Sequence, residues 1–475
     1  MLVKLVQQVV FRALFAFLVL IGLLLFIRVP AFILLLLWSA LYFLAFRVRI
    51  KRFLLLLMLL SLGVRIFYAL LVQTPPQSDF ALLYDASVMF SKGDYSFQNM
   101  TYFREWAYQT GFVVYQGTLL RIFGIENGVL VLKLFNCLWN AGINALIYLI
   151  ARNHVSEEIA RFTALLYTFF VFPVAFVSVL TNQHIASFFI LLGLFILTDK
   201  RHLRLKSLSR SLTAALSMAL GNIMRPEGLI IIGSVLVYFV CHFFSIRGKH
   251  HYRAVLGKAA VFIAVYFIVN TLASQIIVDT GINREGLKNN NILWKFVLGL
   301  NHQSGGVYSN DDVSLVYGKE MPQWKKIMLE QDLIKERMGK GIAAFAGLFI
   351  NKLQHLWCDD ALFWSYGHIS GSKELSILGF NIPFRHVDNA LQDLQAMMSY
   401  AILAAGIVGA FTQKGRNNAA LLLYSTILVA SFLVYLFIEV QSRYAYSQQV
   451  FLFILASPGL EWLYGRLKGT ALKQQ

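Results

Sequence analysis

Residues 53–84 have the sequence FLLLLMLLSLGVRIFYALLVQTPPQSDFALLY. The first part contains a single charged side chain, Arg65, and has the roughly 20 residues that an α-helix needs to cross the hydrocarbon core of a bilayer. The pair Pro75-Pro76 cannot continue that helix, because proline has no N–H and its ring clashes with the preceding turn. Asp79 follows at once, at the start of a second helical pattern. This stretch therefore predicts a membrane span, a rigid exit and a carboxylate at the lipid–water boundary.

The whole chain has the composition of an integral membrane protein. It contains 475 residues, of which 58% are hydrophobic, and its mean hydropathy of +0.63 lies outside the range of soluble globular proteins. The pair Arg225-Pro226 interrupts one apolar region, which can therefore hold two half-helices. Windows of about 20 apolar residues predict an all-α polytopic fold with about twelve transmembrane helices, near residues 9–27, 30–46, 53–72, 128–151, 162–180, 183–198, 211–224, 227–245, 258–277, 394–412, 418–438 and 447–464.

The loops on one side of these helices are basic. They contain Arg47, Arg49, Lys51, Arg52, Lys200, Arg201, Arg204, Lys206, Arg210, Arg247, Lys249, Arg253, Lys258, Lys414, Arg416, Arg466, Lys468 and Lys473. Such loops stay in the cytoplasm, so both termini are predicted to be cytoplasmic. We expect the first helix to be retained rather than removed as a signal peptide. The net charge of +18 then indicates attraction to anionic membrane lipids, and no nucleic-acid partner.

The alternation of basic loops on one side of the membrane with long segments on the other divides the chain into four regions. Residues 1–52 contain two additional N-terminal helices, and residues 53–277 form a transmembrane core with a first long outer segment, 73–127. A second long outer segment, 278–393, precedes the C-terminal helices and basic tail of 394–475. These two segments contain most of the Asp and Glu residues, and connections of such length are seldom mere linkers. The functional site is therefore predicted on the extracytoplasmic face of the cell membrane.

The second long segment contains an apolar stripe at helical spacing. It consists of Ile342, Phe345, Ala346, Phe349, Leu353 and Leu356. Such a helix lies in the plane of the membrane interface or packs onto the small core of its own segment.

No cofactor is predicted. Cys137 and Cys241 lie in apolar runs and Cys358 lies outside them, so the three cysteines do not indicate a disulfide framework. The sequence has no Cys-x-x-Cys or His-Glu-x-x-His pattern, and we assign no metal ligands.

Asp79 is the candidate catalytic residue. A carboxylate at the start of a surface helix can act as a general base on a substrate at the boundary. The structural alternative is a helix cap, since Ser78 and Asp79 both suit the N-cap position. The two roles are compatible if one oxygen caps and the other faces a substrate. Asp85 on the polar side of the helix and Asp94 after Gly93 have the character of surface and turn residues.

Three arginines are candidates for binding a lipid phosphate. Arg65, Arg225 and Arg443 lie within or beside apolar segments, where a charge is costly and indicates function by default. The guanidinium fork also matches phosphate geometry. The alternatives are that Arg225 reaches the headgroups by snorkelling, that Arg443 is an interfacial anchor, and that Arg65 pairs within the protein.

The segment 102–109, YFREWAYQ, interleaves charges and aromatic rings. Arg104, Glu105 and Gln109 are candidate substrate-binding residues on this lip, because polar groups among aromatic rings suit small polar ligands such as sugars. An aromatic band at the membrane interface is the alternative. His184, in a tight turn between two helices, is a weaker candidate and fits an ordinary polar turn residue.

The chain resembles the GT-C superfamily of glycosyltransferases. The similarity begins with a basic cytoplasmic loop and one helix, followed by SDFALLY at 78–84 and KGDY at 92–95. It continues with MRPEG at 224–228 and SRY at 442–444. It is most like the branch with protein O-mannosyltransferases and lipid A aminoarabinose transferases. The resemblance implies transfer of a sugar from a polyprenyl-phosphate carrier, with Asp79 as base and Tyr84 of the same motif among the substrate-binding residues.

The chain departs from that pattern at three places. Phe80 stands where many relatives have a glutamate, and a lysine that some relatives carry is replaced near Gln109. Two helices also precede the one that normally comes first.

The predicted function is therefore transfer of a sugar to an envelope glycan, lipid or protein by inverting attack. A polymerase or ligase of lipid-linked glycans is the alternative that shares many helices and arginines. A transporter or flippase is a further alternative, but transporters place charged sites near the membrane midplane, whereas here the acids lie in the long segments.

Overall fold

A computed structural model describes most of the chain. The described residues are 2–25, 52–199, 201, 203, 205–245, 249–319, 321–358, 361–369, 374–377, 380–412 and 418–473. The predicted helix at 30–46 lies outside these residues. The described helices are α1 (Leu2–Leu25), α2 (Phe53–Leu71), α3 (Asp79–Ser91), α4 (Thr101–Glu105), α5 (Thr110–Phe123), α6 (Gly128–Arg152), α7 (Glu157–Thr168), α8 (Val171–Phe176), α9 (Gln183–Thr198), α10 (Ser207–Met224), α11 (Gly228–Ser245), α12 (Lys249–Asp279), α13 (Ile292–Gly299), α14 (Asn310–Tyr317), α15 (Gln323–Met338), α16 (Ile342–Trp357), α17 (Phe363–Tyr366), α18 (Phe384–Phe411), α19 (Ala419–Phe437) and α20 (Ala445–Lys473).

Several helices are long and apolar enough to cross a membrane. In the described part of the chain these are α1, α2, α6, α12, α18 and α19, while α9 and α11 are shorter apolar helices. The chain is therefore a membrane protein, and the all-α prediction is confirmed. A small exception is an antiparallel hairpin of β1 (Glu374–Ile377) and β2 (Phe380–Pro383), in which Glu374 pairs with Pro383.

One predicted helix is two helices in the structure. The sequence pattern predicts a continuous span over 162–180, but α7 ends at Thr168 and α8 begins at Val171. The reason is Pro173 in the first turn of α8. A proline clashes with the carbonyl group four residues earlier, here that of Phe169, so the break falls at that point.

The main hydrophobic core lies among the long helices, where α9 packs against α10 and α18 against α20. Small residues permit these close approaches. A Cβ atom at Gly459 of α20 would lie 1.9 Å from the Ala405 carbonyl oxygen of α18, which explains a glycine at this crossing. A second core joins α3 and α5 to the start of the second long segment, through Leu83, Phe112 and Ile282.

The apolar stripe of the second long segment forms α16, and its members divide between two environments. Leu353 and Leu356 are buried, whereas Ile342 is 90% exposed. Phe345 and Phe349 are half-buried and Ala346 is exposed, so the stripe packs onto the protein towards its C-terminal end and is exposed at its N-terminal end.

Candidate active site

A cavity of about 1760 Å³ lies where the two long segments meet the ends of α10 and α19. Elements from four parts of the chain contribute its charged side chains: α3, the turn after α10, α13, and the connection between α19 and α20. These side chains are Asp79, Arg225, Glu227, Lys295, Glu439 and Arg443. The structure therefore gathers Asp79 and two of the three predicted arginines in one space.

Asp79 is the first residue of α3 and is partly open to the cavity. Its side chain is 47% exposed, and its Oδ2 accepts a hydrogen bond from Nη2 of Arg443 at 3.4 Å. The N-cap residue is Ser78, whose side chain makes no capping hydrogen bond. Ser78 has a φ of 54°, in the left-handed region that non-glycine residues rarely occupy. This turn directs the carboxylate of Asp79 into the cavity.

Arg443 is held between aromatic rings. Its guanidinium carbon lies 4.3 Å from the centre of the Trp364 ring and 4.8 Å from that of Phe80. These rings bind a cation through their negative faces. The Nε of Arg443 is buried and has no hydrogen-bond partner among the described residues. A buried donor left unpaired is costly, and the Arg443 side chain lines the cavity, so its guanidinium is suited to an anionic ligand.

Arg225 begins a chain of hydrogen bonds along the cavity wall. Its Nε pairs with Glu227 Oε1 at 2.6 Å, and its Nη1 donates to Asn182 Oδ1 at 3.2 Å. Asn182 donates to Gln109 Oε1 at 3.2 Å, and Gln109 donates to the Tyr102 hydroxyl at 3.3 Å. Burial disfavours the charge of Arg225, but Glu227 together with Tyr435 and Tyr444 outweighs burial and holds the pKa of Arg225 above its usual range. This wall is therefore a fixed array of polar groups beside Asp79.

Lys295 and Glu439 form a second ion pair in the cavity. Burial would raise the pKa of Glu439, but Lys295 together with Gln441 and Arg443 outweighs burial and lowers that pKa. The main-chain N–H of Glu439 also donates to the Lys295 carbonyl at 2.8 Å. Neither residue was predicted from the sequence. The available signal was a lone charge within or beside an apolar run, here 292–299 and 419–438, which indicates function by default.

Arg65 and His184 lie away from the cavity, although both were predicted site residues. Arg65 is fully buried and donates to Ser61 Oγ at 2.7 Å and Asn140 Oδ1 at 2.5 Å. His184 is also fully buried, and its Nδ1 lies 2.7 Å from the Tyr446 hydroxyl. The structure does not bring them to the cavity, because both belong to a closed network between helices.

The predicted lip divides between different environments. Gln109 lines the cavity. Glu105 is buried, pairs with Lys326 of the second long segment, and therefore joins the two segments. Arg104 is exposed, with Nη2 3.3 Å from Thr101 Oγ1. Tyr84, which was predicted from the motif at 78–84 and not as part of the lip, packs in a separate apolar cluster with Leu119, Leu120 and Leu132. Of these four predicted residues, the structure brings Gln109 alone to the cavity.

Comparisons with known proteins find structural likeness without sequence relatives. No family model and no curated protein matches the chain. The structure is similar to the archaeal oligosaccharyltransferase AglB from Archaeoglobus fulgidus in complex with an inhibitory peptide and a dolichol-phosphate. The identity is 14%, the TM-score is 0.48, and the match covers 89% of this chain and 51% of that one.

A second similar structure is the Archaeoglobus fulgidus oligosaccharyltransferase tethered with an acceptor peptide. It is 14% identical, with a TM-score of 0.46 and coverage of 87% of this chain and 49% of that one. The chain thus spans about half the length of these structures.

Proposed function

We propose that this protein is a glycosyltransferase that moves a sugar from a polyprenyl-phosphate carrier to an envelope acceptor on the outer membrane face. The observation that carries the proposal is the pairing of a half-exposed carboxylate, Asp79, with a buried arginine, Arg443, whose Nε lacks a partner in the described structure. A base and an unsatisfied cation in one cavity suit a reaction that removes a proton and releases a phosphate.

The charge balance of the cavity favours a donor with one negative charge. Arg225 is neutralised by Glu227 at 2.6 Å, and Lys295 is neutralised by Glu439. The contact between Arg443 and Asp79 is longer, at 3.4 Å. Since buried ion pairs are strong only when close and well aligned, Arg443 is the cation available to an incoming anion. A phosphodiester linking a sugar to a prenyl chain has this single charge.

One wall of the cavity is apolar and suits the hydrocarbon chain of such a carrier. Leu229 and Val237 of α11 and Ala430 and Val434 of α19 contribute to this wall. Leu229 is 86% exposed. Such a side chain can pack against a prenyl unit through dispersion contacts. The phosphate would then lie at Arg443, and the sugar would face Gln109 and the other polar groups.

The reaction consists of one bond exchange at the anomeric carbon. The acceptor oxygen forms a bond to this carbon while the bond to the phosphate oxygen breaks, so the configuration inverts. Asp79 takes the proton of the acceptor, and the bonding electrons leave with the phosphate. Arg443 stabilises the charge that grows on this phosphate, an effect that is large in a site shielded from water.

The test measures sugar transfer by the purified protein and compares cells that have the protein with cells that lack it. We expect Asp79→Asn to lower the transfer rate about 10² to 10⁴-fold, the usual contribution of a general base, with unchanged thermal unfolding. Arg443→Ala should raise the KM for the carrier-linked donor most strongly. Mass spectrometry of envelope polymers from cells with and without the protein identifies the sugar and the acceptor.

Two matched variants serve as controls for this test. Asp85→Asn changes a carboxylate on the same helix that lies outside the cavity lining, and Arg104→Ala changes an exposed arginine. Both should retain activity. A fully active Asp79→Asn protein contradicts the role of Asp79, and products with many added sugars per acceptor would identify a polymerase instead.

A further inference from the structure

Tyr444 lies at the centre of the three cations of the cavity. Its ring centre is 5.3 Å from the guanidinium carbon of Arg225, 5.6 Å from Nζ of Lys295 and 5.7 Å from the guanidinium carbon of Arg443. All three distances fall within the range of about 6 Å over which an aromatic ring attracts a cation. One side chain thus contacts every cation that faces the cavity in the described structure.

A neighbouring ring and two polar groups contact Tyr444. Its centre lies 5.9 Å from that of Tyr435 in a stacked arrangement. Its hydroxyl accepts from Lys295 Nζ at 3.3 Å and donates to Glu439 Oε2 at 3.4 Å. These polar contacts are long for hydrogen bonds. The position of the ring therefore depends mainly on packing, and its effect on the cations depends mainly on the ring face.

Three like charges in one partly buried space repel one another strongly, because the effective dielectric constant there is low. Glu227 and Glu439 pair with two of them, and Asp79 contacts the third at 3.4 Å. The repulsion that these pairs leave favours movement of the long cationic side chains away from each other. The attraction of all three cations to the π-system of one ring opposes this movement.

We propose that Tyr444 is a positioning residue that keeps Arg225 and Lys295 in place around Arg443, the cation directed at the phosphate of the donor. This inference rests on the proposed function. Tyr444 does not contact the reacting atoms. It acts by holding Arg225 and Lys295 beside Arg443, whose own position is also secured by Trp364 and Phe80.

The experiment compares Tyr444→Leu with Tyr444→Phe, which keeps the ring and removes the hydroxyl. The probe is undecaprenyl phosphate added to the protein in nanodiscs, followed by tryptophan fluorescence, since Trp364 contacts Arg443. We expect Tyr444→Leu to weaken binding about tenfold or more, the sum of more than one cation–π contact. Tyr444→Phe should bind within about threefold of the native protein, and with a transferable sugar the leucine variant should raise KM more than it lowers kcat.

A second measurement needs no ligand. Competitive acetylation followed by mass spectrometry gives the pH midpoint at which Lys295 becomes reactive. Removing the ring removes a group that stabilises the ammonium form, so this midpoint should fall in Tyr444→Leu and stay unchanged in Tyr444→Phe. Tyr252→Leu, at a half-buried tyrosine of α12 outside the cavity lining, is the matched control and should change neither readout. Tyr444→Met replaces the leucine variant if that protein does not fold.

The outcomes separate the two proposals. If the native protein binds undecaprenyl phosphate, Tyr444→Leu binds it equally well and the Lys295 midpoint is unchanged, the role of Tyr444 is overturned. The proposed function is not affected by that result. Native protein that does not bind the carrier contradicts the proposed function. In that case a lowered Lys295 midpoint in Tyr444→Leu still supports the role of the ring, and an unchanged midpoint overturns it.

Discussion

Ser78 stores backbone strain directly beside the proposed base. Its φ of 54° and ψ of −136° lie outside the usual regions for a residue with a side chain, and such a conformation costs about 1–3 kcal/mol. Neighbouring contacts hold it in place: Thr74 Oγ1 lies 2.8 Å from Ser178 Oγ, and Gln77 Nε2 donates to the Trp364 carbonyl at 3.3 Å. The strain is the consequence of turning the chain sharply after the two prolines.

Two different substitutions of Ser78 should therefore change the free energy of unfolding in opposite directions. Ser78→Gly should raise the free energy of unfolding by about 1 kcal/mol, because glycine adopts a positive φ without a steric penalty. Ser78→Val should lower it by a similar amount or more, since a β-branched side chain tolerates this region poorly. Thermal unfolding in detergent measures both. Ser91→Gly, within the regular end of α3, is the control and should destabilise; a less stable Ser78→Gly protein would contradict the strain.

Lys352 of α16 connects the elements that carry the second ion pair of the cavity. Its Nζ donates to three main-chain carbonyls, those of Gly299 at 2.7 Å, Leu436 at 2.9 Å and Ile438 at 2.7 Å. Gly299 ends α13, which contains Lys295, and Ile438 directly precedes Glu439. A Cβ atom at Gly299 would lie 2.3 Å from the Ile438 carbonyl carbon, so the two chain segments touch. One buried amino group thus joins α13 to the end of α19.

Lys352→Met should loosen this junction. It leaves three buried carbonyl groups without their donor, which we expect to cost about 3 kcal/mol. Because Lys295 and Glu439 then lose their fixed separation, the KM for the donor should also rise. Thermal unfolding and transfer assays test both effects. Lys335→Met, at an exposed position of α15, should change neither, and a Lys352→Met protein of native stability would exclude the junction as a source of stability.

The two long segments are joined through a buried cluster of charged and polar groups. Glu105 of the first segment pairs with Lys326 and accepts from the Tyr317 hydroxyl at 2.6 Å, both of the second segment. Glu330 lies beside this pair and is 2% exposed. Burial raises the pKa of Glu330 from 4.5 to about 7. The charge of Lys326 opposes this shift, and the charge of Glu105 adds to it. The junction between the segments is therefore sensitive to pH.

The sign of this pH dependence follows from the raised pKa. Between about pH 4.5 and 7 the folded protein keeps a proton on Glu330 that the unfolded chain has lost, so the free energy of unfolding falls as the pH rises. Glu330→Gln should remove this fall and make the protein more stable than native at pH 8, by up to about 3 kcal/mol. Thermal unfolding over a pH series measures it. Glu336→Gln, exposed on the same helix, should retain the native profile, and identical profiles for Glu330→Gln and native protein would contradict the assignment.

The sequence by itself determined the class of the protein and most of its helices. Length and apolar composition suffice for a membrane helix, because the bilayer core imposes a length of about 20 residues and a helix satisfies its own backbone hydrogen bonds. The region 162–180 is where this reasoning failed, since a local steric effect of Pro173 broke an apolar run. Asp79 was recognisable for the same local reason, as an acid placed directly after a helix exit.

Only the tertiary structure decided which charged residues share the cavity. Arg65 and Arg443 are both arginines associated with apolar segments, yet Arg65 is enclosed by Asn140 and Ser61, whereas Arg443 faces Asp79. The partners are far apart in sequence, 364 residues for Asp79 and Arg443, and 144 residues for the Lys295–Glu439 pair that no motif revealed. Burying a charge is costly unless it is paired. The partner that meets this cost depends on which helices pack together, and no local pattern of residues contains that information.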